Sequence, residues 1–186
     1  MLKTAFATAL DIAEPVMVTV RPEHFKQPTP CEGWDVQALL QHMYNELAWV
    51  PELLAGKTVA QVGDSLDGDL VGTDIQGAWN RYSKTARQSA EATPVHHVVH
   101  LSYGNTPASA YLDEMAVELT VHTWDLAQAI QVPFHIPEEF AKALYLLNQS
   151  RVDGWRGKGL VGPEVKVPED APNEMKLLGL FGRMPR

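Results

Sequence analysis

With 186 residues, 45% of them hydrophobic and 20% charged, the chain is long enough to bury a core of its own and has the composition of an ordinary folded protein. Fifteen Lys and Arg against 23 Asp and Glu leave a net charge of −8 with no basic run, which argues against nucleic acid and anionic membranes as partners, since both are bound through cationic side chains. The single cysteine, Cys31, rules out an intrachain disulfide and a cysteine-rich metal cluster, so any metal ligands must be mainly histidine and carboxylate.

Charges and prolines interrupt every apolar stretch well before the roughly 18 residues that would span a membrane. Residues 1–6 lack an apolar segment with a small-residue cleavage site, so the sequence points to a cytoplasmic protein forming a single domain over 1–186. Leu2, Phe6, Leu10, Ala13 and Val16 predict a first helix over about 2–20, kinked or ended by Pro15. Residues 21–33 hold three prolines and read as a loop. Asp35 can cap a second helix, whose seam of Val36, Leu40, Met43, Leu47, Val50 and Leu54 alternates spacings of four and three up to a stop at Gly56. Residues 57–72 are a Gly- and Asp-rich connection. A third helix is predicted over 73–93, with Ile75, Ala78, Trp79, Tyr82 and Ala86 on one side. The Val- and His-rich run 95–103 reads as extended, and Gly104-Asn105-Thr106-Pro107 reads as a turn. The fourth helix, 108–131, carries Leu112, Met115, Leu119, His122, Leu126 and Ala129 along one seam. A last helix follows over 137–150, and a short helical patch over 174–181. The pattern is that of an all-α helical bundle with a short extended segment before its fourth helix.

Glu118 and His122, four apart, stand on neighbouring turns of one helical face, and Asp125 continues that face. A carboxylate and an imidazole so placed can fill two positions around a zinc ion, with a third ligand from another helix and one position open for chemistry. The same spacing also describes a core histidine hydrogen-bonded to Glu118 or Asp125 with no metal at all. His42 lies on the flank of the second helix's apolar stripe, where periodicity alone makes it a surface residue. His96, His97 and His100 form a local cluster, but in an extended run His97 points away from the other two. Cys31, in a turn with no neighbouring base in sequence, reads as a small packed side chain, and Trp34 and Trp124 as packing residues.

Two separated segments add to this reading: Pro28-Thr29-Pro30-Cys31-Glu32-Gly33-Trp34-Asp35-Val36, followed by Leu39 and His42, and Glu118-Leu119-Thr120-Val121-His122-Thr123-Trp124-Asp125-Leu126-Ala127. Together with Ser102-Tyr103-Gly104 to Pro107 and the tail 175–185, they resemble the DinB-like metal-binding bundles. The nearer likeness is to the branch related to the N-terminal domain of mycothiol-dependent maleylpyruvate isomerase. The resemblance implies a DinB-like four-helix bundle that binds a divalent metal through His42, Glu118 and His122. Zinc is the first expectation, although imidazole and carboxylate suit nickel, iron and manganese as well. Asp125 is then a candidate to orient a ligating imidazole from outside the ligand set. The expected function is a metal-dependent thiol transferase or isomerase that brings a low-molecular-weight thiol to a small electrophile. The alternative is a metal-binding bundle without catalysis. A homodimer through outward apolar positions fits such a bundle.

Overall fold

The computed structural model describes residues 5–184; the predicted helix start at Leu2 and the tail position Pro185 lie outside the described residues. α1 (Ala5–Met17) buries Phe6, Leu10, Ala13 and Val16 along one face, as their spacing requires. Pro15 lies inside it, two residues before its end. Pro15 itself is exposed and sits in the last turn, where its missing N–H disturbs little of the helix behind it. α2 (Val36–Leu54) buries all six predicted seam residues and carries Pro51 in its last turn. Its cap is Asp35, whose carboxylate accepts the Ala38 N–H at 2.9 Å and pairs with the Lys26 ammonium at 3.0 Å.

Residues 57–72 hold one short helix, α3 (Val59–Val62), which Thr58 and Gln61 start with reciprocal capping bonds. α4 (Ile75–Ala92) is capped by Asp74 and buries Ile75, Ala78, Trp79 and Ala86. Residues 104–107 are not a turn. They form β2 (Gly104–Pro107), antiparallel to β1 (Val98–Leu101), with Val98 opposite Pro107 and Leu101 opposite Gly104. The bend falls at Ser102 and Tyr103. Turn-prone residues survive in β2 because it is an edge strand of two-stranded pairing, and Pro107 stands at its end where its missing N–H breaks nothing.

α5 (Ala108–Ile130) is buried on almost every side. Its polar residues must therefore find partners inside the fold: the Thr120 and Thr123 hydroxyls donate to the carbonyls four residues back, each at 2.7 Å. α1 packs on α5 and α4, and α2 packs on α4 and α5. These elements make up one compact unit, Met1–Val132.

The second unit, Pro133–Arg186, contains α6 (Glu138–Asn148), α7 (Val152–Arg156) and α8 (Asn173–Leu180). α6 packs against α8, and the Glu138 carboxylate accepts the Asn173 N–H at 3.1 Å. A Cβ at Gly179 would lie 2.4 Å from the Val165 carbonyl oxygen, so only glycine lets the strand-like segment before α8 approach it. No helix among the described residues is long and apolar enough to cross a membrane.

The α2 cap gives a stability test. The Ala38 N–H, and next the Lys26 ammonium, hold the Asp35 carboxyl below the usual carboxylate range. Its contribution is present above the ordinary pKa and lost as pH falls through the lowered one. Asp35→Ala should cost about 1 kcal/mol in urea unfolding at neutral pH. Asp35→Asn should retain most of that cap and remove the additional loss seen in the wild type below about pH 4.

Candidate metal centre

The loop between α1 and α2 is built to deliver two side chains to α5. The Thr29 hydroxyl accepts the Cys31 N–H at 3.1 Å and donates to the Trp34 carbonyl at 2.9 Å. The Trp34 N–H closes a turn on the Cys31 carbonyl at 3.0 Å. Gly33 occupies that turn's third position at φ +79°, where a side chain would be strained. Cys31 then reaches Asp125, with its thiol donating to Oδ2 at 3.1 Å, and lies 3.7 Å from His122 Nδ1. The Trp34 ring meets both imidazoles of the site, 4.9 Å from His42 and 6.0 Å from His122, nearly parallel to the latter.

His42 does lie half-buried on the flank of α2, but its ring turns to α5. His42 Nε2 stands 2.6 Å from Glu118 Oε1, and His122 Nε2 stands 2.9 Å from the same oxygen. The two rings meet edge to face at 4.9 Å. The other face of His122 is equally committed: Nδ1 donates to Asp125 Oδ2 at 3.0 Å, and Asp125 is fully buried. Asp125 therefore sits across the ring from the place where His42 and Glu118 converge.

Two sets of potential ligand atoms, each within 4.8 Å, share His122: His42, Glu118 and His122 through Nε2, and Cys31, His122 and Asp125 through Nδ1. The first borders a narrow pocket whose walls include Met43, Leu47, Met115 and Leu119. Glu118 and His42 are partly exposed at its rim. The second closes around a carboxylate with no exposed surface. Two imidazoles and one carboxylate make a donor set that could hold a divalent ion. The Asp125 contact supplies the outer hydrogen bond that ligating histidines usually have.

His96, His97 and His100 join neither set. His100 Nδ1 pairs with Asn105 across the hairpin at 2.8 Å, and His97 packs beside Gly56. Sequence reasoning missed two residues. Cys31 has no neighbouring base along the chain, and only the fold brings it to Asp125. Glu46 lines the pocket, one turn beyond His42 on α2; the H-x-x-x-E spacing, a mirror of Glu118 to His122, was its available signal.

Burial pushes the Glu118 carboxyl up, but the His122 charge and the hydrogen bonds from His122 and His42 hold it well below its ordinary range. Burial pushes His122 down, yet the Glu118 charge and the bonds to Asp125, Cys31 and Glu118 hold it well above. An imidazole facing a carboxylate at each nitrogen needs a proton on both, and so is an imidazolium when no metal replaces one. Burial, and next the Glu118 charge, raises Glu46; the charges of His42 and His122 partly offset this. The Glu46 charge also reaches the buried Tyr111 hydroxyl, which has no hydrogen-bond partner among the described residues.

Residues 7–127 match the family described as the mycothiol maleylpyruvate isomerase N-terminal domain. The matched span falls inside the first compact unit and includes every residue of both donor sets. No curated protein and no solved structure matches the chain.

In the metal-free protein, the His122 ring should titrate above the ordinary histidine range in an NMR pH series, and Glu118→Gln should lower its midpoint. The contribution of His122 to stability is then complete below the ordinary histidine pKa and lost as pH rises through the raised one, while that of Glu118 is complete above the ordinary carboxylate pKa and lost as pH falls through its lowered one. A midpoint at or below the ordinary value in the wild type would contradict the doubly bonded imidazolium.

Proposed function

The chain belongs to the mycothiol maleylpyruvate isomerase N-terminal domain family, and on that premise we propose that it is a DinB-like four-helix bundle holding one divalent ion, zinc foremost, for thiol chemistry. His42, Glu118 and His122 are the ligands, and the position facing the pocket takes a low-molecular-weight thiol, mycothiol being the one that the family's name carries. The thiol is passed to a small electrophile, in a transferase or isomerase reaction. The observation that carries this reading is the convergence of two imidazole Nε2 atoms on one Glu118 oxygen, at 2.6 and 2.9 Å, on the rim of an apolar-walled pocket.

When bound, the ion supplies a positive charge that lowers the pKa of a coordinated thiol and keeps it as a thiolate. Everything else falls to side chains. Asp125 holds the Nδ1 proton of His122 and so fixes the tautomer that presents the Nε2 lone pair. Cys31 donates to the same Asp125 oxygen and keeps that carboxylate in place. Trp34 covers the two rings, and Met43, Leu47, Met115 and Leu119 keep water away from the reacting sulfur.

A second reading rests on the Cys31 contact. An ion held by Cys31, His122 and Asp125 would have a fully buried carboxylate at its side, and would cross-link the loop to α5 without catalysis.

Metal retention and ligand exchange separate the two. His42→Ala and His122→Ala should each lose the ion on elemental analysis, because two remaining protein ligands are too few to hold it, while His96→Ala and His97→Ala retain it. Full occupancy in His42→Ala would remove the proposed ligand set. In cobalt-loaded wild type, added thiol should change the visible spectrum, whereas a closed site leaves it as it was.

A further inference from the structure

The pocket beside the three donors contains one more ionisable group. Its other walls are Met43, Leu47, Met115 and Leu119, which leaves Glu46 as the polar lining side chain outside the donor set. His42, Glu118 and His122 bring their donor atoms within 4.8 Å of one another, and Glu46 takes part in no such group among the described residues. One helical turn beyond His42, it shares that residue's face of α2 and meets the pocket without joining the ligands.

We propose that Glu46 is a catalytic residue that donates a proton to the small electrophile as the thiol sulfur bonds to it. This rests on the thiol-transfer reading above. The neighbouring groups are already committed: His42, Glu118 and His122 to the ion, and Asp125 to His122 and Cys31. The remaining walls, Met43, Leu47, Met115 and Leu119, carry no proton to give.

The step balances without an oxidant or reductant. The sulfur's electron pair forms a C–S bond as a π bond of the acceptor breaks. The displaced pair takes the proton from the Glu46 carboxyl, which becomes a carboxylate. The next thiol returns a proton to Glu46 as its sulfur becomes anionic. The sum is thiol plus unsaturated acceptor giving one thioether. Glu46 then matters for acceptors that need a proton when attacked and is idle toward halides, whose leaving group departs as an anion.

The test uses the cobalt-loaded full chain, 2-mercaptoethanol as the thiol, and two electrophiles followed through decay of the thiol-dependent absorption. N-ethylmaleimide needs a proton when the sulfur adds to it; iodoacetamide does not. Glu46→Gln should retain cobalt and the thiol-induced spectral change. It should react with N-ethylmaleimide about 100-fold more slowly than the wild type, the low end of general-acid effects, and with iodoacetamide at the wild-type rate. Equal slowing toward both, or slowing toward neither, would overturn the assignment. So would loss of cobalt from Glu46→Gln, which would make Glu46 part of the metal's support. A wild-type spectrum that ignores thiol would remove the thiol-transfer reading and this proposal with it. A wild-type response with unchanged variant rates would remove this proposal alone.

Discussion

A histidine on the most buried helix of this fold must satisfy two ring nitrogens where there is almost no water to do so. His122 meets that demand within its own helix: Glu118 lies one turn before it and Asp125 one turn after it, and they take Nε2 and Nδ1 respectively. The two contacts orient the ring, which gives its two faces different neighbours. One face looks to α2, where His42 and Glu46 stand beside a pocket, and the other to the loop turn that holds Cys31. The rest of the site is arranged around that division.

The division also explains why the two potential metal sets are unlike each other. On the Nε2 side the donors are partly exposed and border empty space, which suits an ion that exchanges an outside ligand. On the Nδ1 side, a fully buried carboxylate already accepts from a thiol and an imidazole, which suits the hydrogen-bonded support that a ligating histidine needs. In the metal-free protein, the proton that burial would remove from His122 is retained by its two carboxylates. Metal binding at Nε2 has to displace it, so affinity must weaken toward acid.

Much of this was legible in the chain itself. The alternating spacings of α2 and α5 identify their buried faces, and the Asp35 cap marks where α2 begins. Glu118 and His122 could be paired from helical geometry alone, because that geometry is fixed within one element. His42 could not, since its partner depends on how α2 packs against α5, and periodicity placed it only on a flank; the family resemblance supplied what the spacing lacked. Cys31 was illegible for a stricter reason. Its neighbours are 91 and 94 residues away, and no local pattern encodes them. The hairpin shows the converse failure: Gly104-Asn105-Thr106-Pro107 has the composition of a turn, but pairing with β1 overrides local preference. Pro15 and Pro51 likewise stay helical because each falls in a last turn, where the lost hydrogen bond disturbs little of the ladder behind it.

X-ray absorption spectroscopy of the zinc-loaded protein separates the two sides of His122, because it distinguishes sulfur from nitrogen and oxygen around the ion. With the ion at His42, Glu118 and His122, the first shell should consist of light atoms only, two imidazoles among them, and a sulfur at about 2.3 Å should enter only when a low-molecular-weight thiol is added. A sulfur already present before any thiol is added, and lost in Cys31→Ser, would put the ion on the Nδ1 side of His122 and contradict the assignment to His42, Glu118 and His122.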